Sequence, residues 1–177
     1  MQRPSPDDLA NARSRTLEDV IAPGLKVLFV GINPGLWSGA LGFHFARPGN
    51  RFWKALHLSG LTPILISPDH QHELLTYGIG VTNLVKRTTA VASELTDAEL
   101  RSGALLLEAK IKRFRPLKVA FLGLTAYRVA FGQPQASVGR QEVSIGGSET
   151  WVMPNPSGLN AHYQLPQLAR AYSALKG

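Results

Sequence analysis

Two short apolar runs constrain this chain most: Lys26-Val27-Leu28-Phe29-Val30-Gly31 and Leu117-Lys118-Val119-Ala120-Phe121-Leu122-Gly123. Neither alternates apolar with polar residues, and each stops at glycine, as expected of a strand buried on both faces. Such strands need a sheet covered by helices on both sides. The intervening segments supply those helices. Asp97–Phe114 places Leu100, Ala104, Leu105, Ala109 and Ile111 at helical spacing with charges between them. Residues 48–60 read as a helix from near Asn50 with Gly60 just past its end, and residues 125–131 and 166–175 as two more. Residues 142–145 and 149–153 flank Gly146-Gly147 in the manner of a hairpin. The expected fold is a single three-layer α/β/α domain around a central, mainly parallel sheet.

At 177 residues the chain has room for one such domain. Residues 1–16 read as a flexible or partly helical leader and residues 17–177 as the domain, with no linker, repeat or low-complexity tract. The absence of cysteine removes disulfides, thiolate metal sites and cysteine nucleophiles, so hydrolytic chemistry must use oxygen, nitrogen or water. No apolar run approaches the ~20 residues of a membrane helix, and the opening residues lack a signal-peptide core; the reading is a soluble cytoplasmic protein with no membrane partner. Nineteen basic against twelve acidic side chains give a formal charge of +7. That excess suits a polyanion such as nucleic acid, through counterion release, and equally suits an ordinary basic soluble protein.

Ligands of open parallel sheets gather beyond the carboxyl ends of the strands. Two segments there combine proline and glycine rigidity: Gly31-Ile32-Asn33-Pro34-Gly35, and Met153-Pro154-Asn155-Pro156-Ser157-Gly158-Leu159. Each is either a preorganised site loop or a strand-ending turn. Neither is a phosphate loop, since no Gly-Lys-Ser/Thr and no GxGxxG is present. His70 and His72, one residue apart with no third ligand nearby, read as an exposed loop rather than a metal site. Arg13 and Arg15 belong to a DNA-attracting leader or to a plain soluble tail.

With Gly42-Phe43-His44-Phe45, Pro48-Gly49-Asn50-Arg51-Phe52-Trp53 and the block from Gly78 to Thr89, these loops make an ordered series. The series resembles the mismatch-specific uracil/thymine DNA glycosylases, a branch of the uracil-DNA glycosylase superfamily. The resemblance runs from about Leu17 to the C-terminus. It implies a pocket for a flipped base and hydrolysis of its N-glycosidic bond without metal or organic cofactor. The implied partner is double-stranded DNA carrying a mismatched or damaged pyrimidine, and the implied protein a monomer. Uracil opposite guanine would leave as free base, with thymine or other altered pyrimidines as extensions, and an abasic site would remain. No Lys matches a catalytic position, so water is the nucleophile and no lyase step is expected.

The resemblance also distributes roles. Asn33 matches the water-positioning residue, its amide oxygen accepting from water while its nitrogen is tethered. Asn155 matches a residue near the leaving base and sugar, and is alternatively an Asn capping its own turn. Phe45 stacks on the extruded base, or is a core Phe. Main-chain groups of Ile32 and Phe45, with the Asn83 amide, face the base edge; Asn83 is alternatively a solvated strand end. Ser38, His44, Asn50 and Thr89 match pocket-wall or backbone-contact positions, and Gly35 belongs to the DNA-facing turn. Ser157 is a phosphate ligand, Leu159 the wedge that fills the vacated stack, and Gly158 lets the backbone near the widowed guanine. Two other readings stay open: a non-catalytic DNA-mismatch binder, and a small-molecule enzyme whose Asn-Pro turns cup a nucleotide or sugar.

Overall fold

Residues 2–177 are described by a computed structural model; Met1, the first residue of the expected leader, lies outside the described residues. Ser5 and Asp8 cap one another and start α1 (Pro6–Asn11), which packs against α2 (Leu36–Leu41). Ala12 is buried, Arg13 pairs with Glu94 at 2.8 Å, and Arg15 donates to the Ala40 carbonyl. The leader is thus laid along the domain, with both arginines engaged by protein.

Strand β1 (Val27–Gly31) is buried throughout, as its unalternating sequence requires. Val27 and Phe29 enter one core with Phe52, Leu56, Leu168 and Tyr172; Leu28 and Val30 enter the other with Leu100, Leu107, Ile111 and Tyr127. Helix α3 (Phe52–Leu58) starts two residues beyond Asn50, whose Oδ1 accepts the Phe52 N–H. A 3-10 segment (Pro68–Tyr77) leads into β2 (Ile79–Asn83), and Thr96 with Glu99 caps α4 (Asp97–Phe114). Then follow β3 (Lys118–Leu122), α5 (Leu124–Phe131), β4 (Gly139–Arg140), β5 (Glu149–Met153) and α6 (Leu165–Ser173).

The sheet order is β2-β1-β3-β5-β4, parallel except for β4. Helices on both faces make the expected three layers. The expected hairpin needs correction. Residues 142–145 are not its first strand; Gly139 and Arg140 pair with β5 instead. The Thr150 hydroxyl takes the Ile145 N–H at 3.1 Å, displacing a ladder carbonyl, so the Gly146-Gly147 turn closes only an isolated bridge. At the other edge, Val20 bridges Val81 antiparallel and covers part of β2. Register sets Gly31 beside Asn83, so the ends of β1 and β2 open into one place, with the loop after β5 across from them. No helix among the described residues is long and apolar enough to cross a membrane.

Candidate active site

A cavity of about 660 Å³ lies beyond these strand ends. Every site residue expected from the sequence lines it except Gly158.

Asn33 follows β1. Its Nδ2 donates to the Arg87 carbonyl and the Thr89 hydroxyl, each at 2.8 Å, and to the Pro34 carbonyl at 3.3 Å. Two of these partners are carbonyls, which only accept, so the amide orientation is fixed by chemistry. Oδ1 has no protein partner among the described residues, and the half-buried side chain lines the cavity. Thr89, expected at a pocket-wall or backbone-contact position, lines the cavity wall. It is buried, and its hydroxyl serves Asn33 while donating to the Val91 carbonyl. Gly35 caps α2 in open space and pairs with Thr89 through a bridge.

Phe45 stacks on Phe52 with centroids 4.2 Å apart and borders the cavity. Its φ of +53° is a left-handed conformation that an aromatic residue rarely adopts, a strain typical of functional positions. Ile32 and Ser38 also border the cavity, the Ser38 hydroxyl accepting the Ala46 N–H. A Cβ on Gly31 would lie 2.5 Å from Asn83 Oδ1 and 3.4 Å from the Phe45 ring. Glycine is required there, and the Asn83 oxygen and the Phe45 ring face one slot. Asn83 is buried rather than a solvated strand end, and its Nδ2 meets His44 Nδ1.

Asn155 is tethered in the opposite sense to Asn33. Its Oδ1 accepts the Ser157 N–H at 2.9 Å, while Nδ2 has no protein partner among the described residues. It therefore caps its own turn and still offers a donor to the cavity. Ser157 Oγ accepts the Leu159 N–H, and Leu159 projects with 72% exposure. Gly158 packs against the Gly49 turn, where a Cβ would lie 2.9 Å from the carbonyl oxygen. Arg51, not singled out in the sequence, holds this loop. Its guanidinium donates to the carbonyls of Pro156, Ser157, Asn160 and Tyr163. Leu9 and Leu17, from the leader and its junction, also line the cavity. Among the described residues no group of three or more His, Asp and Glu is placed to hold a metal ion.

A profile of the uracil DNA glycosylase superfamily matches residues 18–176. The chain belongs to that superfamily. Its members are DNA glycosylases, hydrolases of N-glycosyl bonds acting on DNA. The fold agrees with a solution NMR structure from Methanosarcina acetivorans, provisionally named a uracil DNA glycosylase. That chain is 18% identical, with a TM-score of 0.62 over 92% of this chain and 98% of the other.

Hydrolysis of an N-glycosidic bond makes two demands that the polar groups of such a cavity can be compared with. Departure of a pyrimidine leaves positive character on the sugar and negative charge on the base. A water must be held near the sugar, and donors near the base. Asn33 contributes the free acceptor and Asn155 the free donor.

Proposed function

We propose that this glycosylase flips uracil, and secondarily thymine or other altered pyrimidines, opposite guanine out of duplex DNA and hydrolyses its N-glycosidic bond with water. The opposed tethering of Asn33 and Asn155 carries this reading. An acceptor without a donor would place water but leave the base's charge unsupported; a donor alone would do the reverse. Asn33 Oδ1 accepts a hydrogen from the water, orienting a lone pair toward the sugar carbon as the bond lengthens. Asn155 Nδ2 donates toward the departing base. Phe45 stacks on that base, and Leu159 enters the duplex in its place. An amide is a weak base, so turnover rests on the leaving ability of the base. The enzyme is monofunctional and leaves an abasic site.

The test is incubation with matched G·U, A·U and G·T duplexes, followed by alkali and strand separation. Cleavage of G·U after alkali, faster than of A·U and G·T, supports the reading. Strand breaks without alkali would reveal a lyase step, and tight G·U binding with no base released would make the chain a mismatch binder.

A further inference from the structure

His44 is 2% exposed, yet both its ring nitrogens are engaged. Nε2 lies 2.9 Å from the Glu18 carbonyl, and Nδ1 lies 3.3 Å from Asn83 Nδ2. A carbonyl only accepts, so in the neutral ring Nε2 carries the hydrogen and Nδ1 is a bare acceptor. The group facing Nδ1 must then be the NH2 end of Asn83. The main chain of His44 is pinned as well: its N–H donates to Gln71 Oε1, and its carbonyl accepts from the Trp53 indole. These contacts fix the backbone from which the ring projects.

We propose that His44 is a positioning residue that fixes the Asn83 amide, so that the base slot reads the imide edge of uracil and rejects cytosine, an order that protonation of the ring reverses. This rests on the glycosylase reading above. With one N–H spent on His44, Asn83 presents Oδ1 and its other N–H. Uracil offers N3–H and O4 to that pair; cytosine offers a bare N3 and an amino group, mismatched at both points. A charged His44 has no acceptor at Nδ1. Asn83 must then turn its oxygen to the ring, leaving NH2 opposite the N3–H of uracil.

Burial is the main influence on the ring and pushes its pKa below the ordinary histidine value; Lys110 and His72 act the same way, while the Glu18 carbonyl and Asp19 oppose them. Asp19 and Lys110 form an ion pair with each other, so their influences largely offset. His44 is therefore neutral at pH 7, the form that selects uracil.

The structural arm of the test needs no substrate. Nitrogen-15 spectra of the free protein should show the Nε2–H tautomer, and the Asn83 side-chain amide signals should follow the titration of His44. The opposite tautomer, or amide signals indifferent to that titration, overturns the proposal. In the kinetic arm, single-turnover cleavage of G·U should fall about tenfold per pH unit below the ring's pKa. His44→Gln can accept through Oε1 without titrating; it should lower the plateau rate yet flatten this acid limb. Asn83→Ala should remove most of the rate and the limb together. An acid limb persisting in His44→Gln also overturns the proposal. Failure of the wild type to release uracil at any pH would instead sink the glycosylase reading, leaving the spectra to decide the His44–Asn83 pairing.

Discussion

Asn33→Asp separates the anchored end of Asn33 from its working end. The substitution puts an oxygen where Nδ2 now lies 2.8 Å from the Arg87 carbonyl and 3.3 Å from that of Pro34, neither of which can donate. Two hydrogen bonds worth ~1 kcal/mol each are lost, and a carbonyl held against an anion adds a penalty of ~1–3 kcal/mol. The Thr89 hydroxyl can turn to donate, but only by abandoning the Val91 carbonyl. A loss of ~3–5 kcal/mol at neutral pH lowers Tm by roughly 6–20 °C in a domain of this size. Protonation relieves it, because a carboxylic acid can donate to Arg87. The folded-state pKa of Asp at position 33 is thus raised above the unfolded value of ~3.9. The penalty is present above the folded pKa and fades as pH falls through it. Asn33→Ala should cost less stability, since it takes the donor from the Arg87 and Pro34 carbonyls without setting an anion against them, and should slow single-turnover cleavage ~10²-fold or more. Calorimetry of both variants from about pH 4 to 8, with cleavage assays at pH 7, checks the argument. Asn33→Asp matching Asn33→Ala in stability at every pH would refute the nitrogen anchor. Asn33→Ala cleaving near the wild-type rate would refute the placement of water.

Leu159→Ala should weaken cleavage of uracil in a duplex more than of uracil in a bulge or single strand, since it removes a plug rather than chemistry; equal losses by single-turnover assay would contradict the wedge role. Arg51→Met should remove the guanidinium from four carbonyls, leaving those of Asn160 and Tyr163 without a partner among the described residues while Pro156 and Ser157 keep backbone donors. It should lower Tm by roughly 4–12 °C and weaken hydrogen-exchange protection around residues 156–163; unchanged protection there would show that the loop holds itself. Tyr172→Phe should raise Tm by a few degrees, roughly 2–4 °C, because its hydroxyl is buried with no partner among the described residues and burial drives its pKa up; a lower Tm would reveal a partner such as bound water. The Glu99 carboxyl is held down to about 2, chiefly by Arg87 and then by the Thr96 N–H. Its stabilisation is full above the unfolded value and is lost as pH falls toward 2, so Glu99→Gln should flatten that stretch of the acid-unfolding curve.

What the sequence disclosed depended on how far each signal reached along the chain. Helix α4 was legible to the residue because its periodicity and Thr96/Glu99 cap lie within one segment. Strands β1 and β3 were legible from their short unalternating apolar runs ending in glycine. Strand β2 was not, because Gly80 dilutes its propensity; a Cβ there would lie 2.5 Å from Leu25 and 2.6 Å from the Val20 carbonyl. The demand for glycine comes from a segment packed over the sheet edge. The Gly146-Gly147 signal was real but local, and one threonine hydroxyl overrode it. Asn33, Phe45, Asn83 and Asn155, which the structure brings to one cavity, were singled out through the order of motifs around them. Arg51 was not, although it sits inside one of those motifs, because its value lies in carbonyls 105 to 112 residues away.

On the proposed reading, three amides with one end tied, at positions 33, 83 and 155, let a site lined by no carboxylate or thiol be specific. An amide's two ends are nearly isosteric and opposite in hydrogen-bonding sense, so an untethered one is as often wrong as right. Random flipping would by itself cost only about twofold per residue, roughly eightfold for three. Mispairing matters more, because a donor forced against a donor costs ~1–3 kcal/mol, up to about a hundredfold in rate at each position. The tethers suppress that larger loss. All draw on groups fixed near the strand ends: the Arg87 carbonyl after β2, the Ser157 N–H after β5, and a histidine locked against the Glu18 carbonyl beside β2. Sheet rigidity thus becomes an ordered set of donors and acceptors. A variant that loosens the Asn83 tether without touching that amide should therefore lose discrimination between uracil and cytosine before it loses fold.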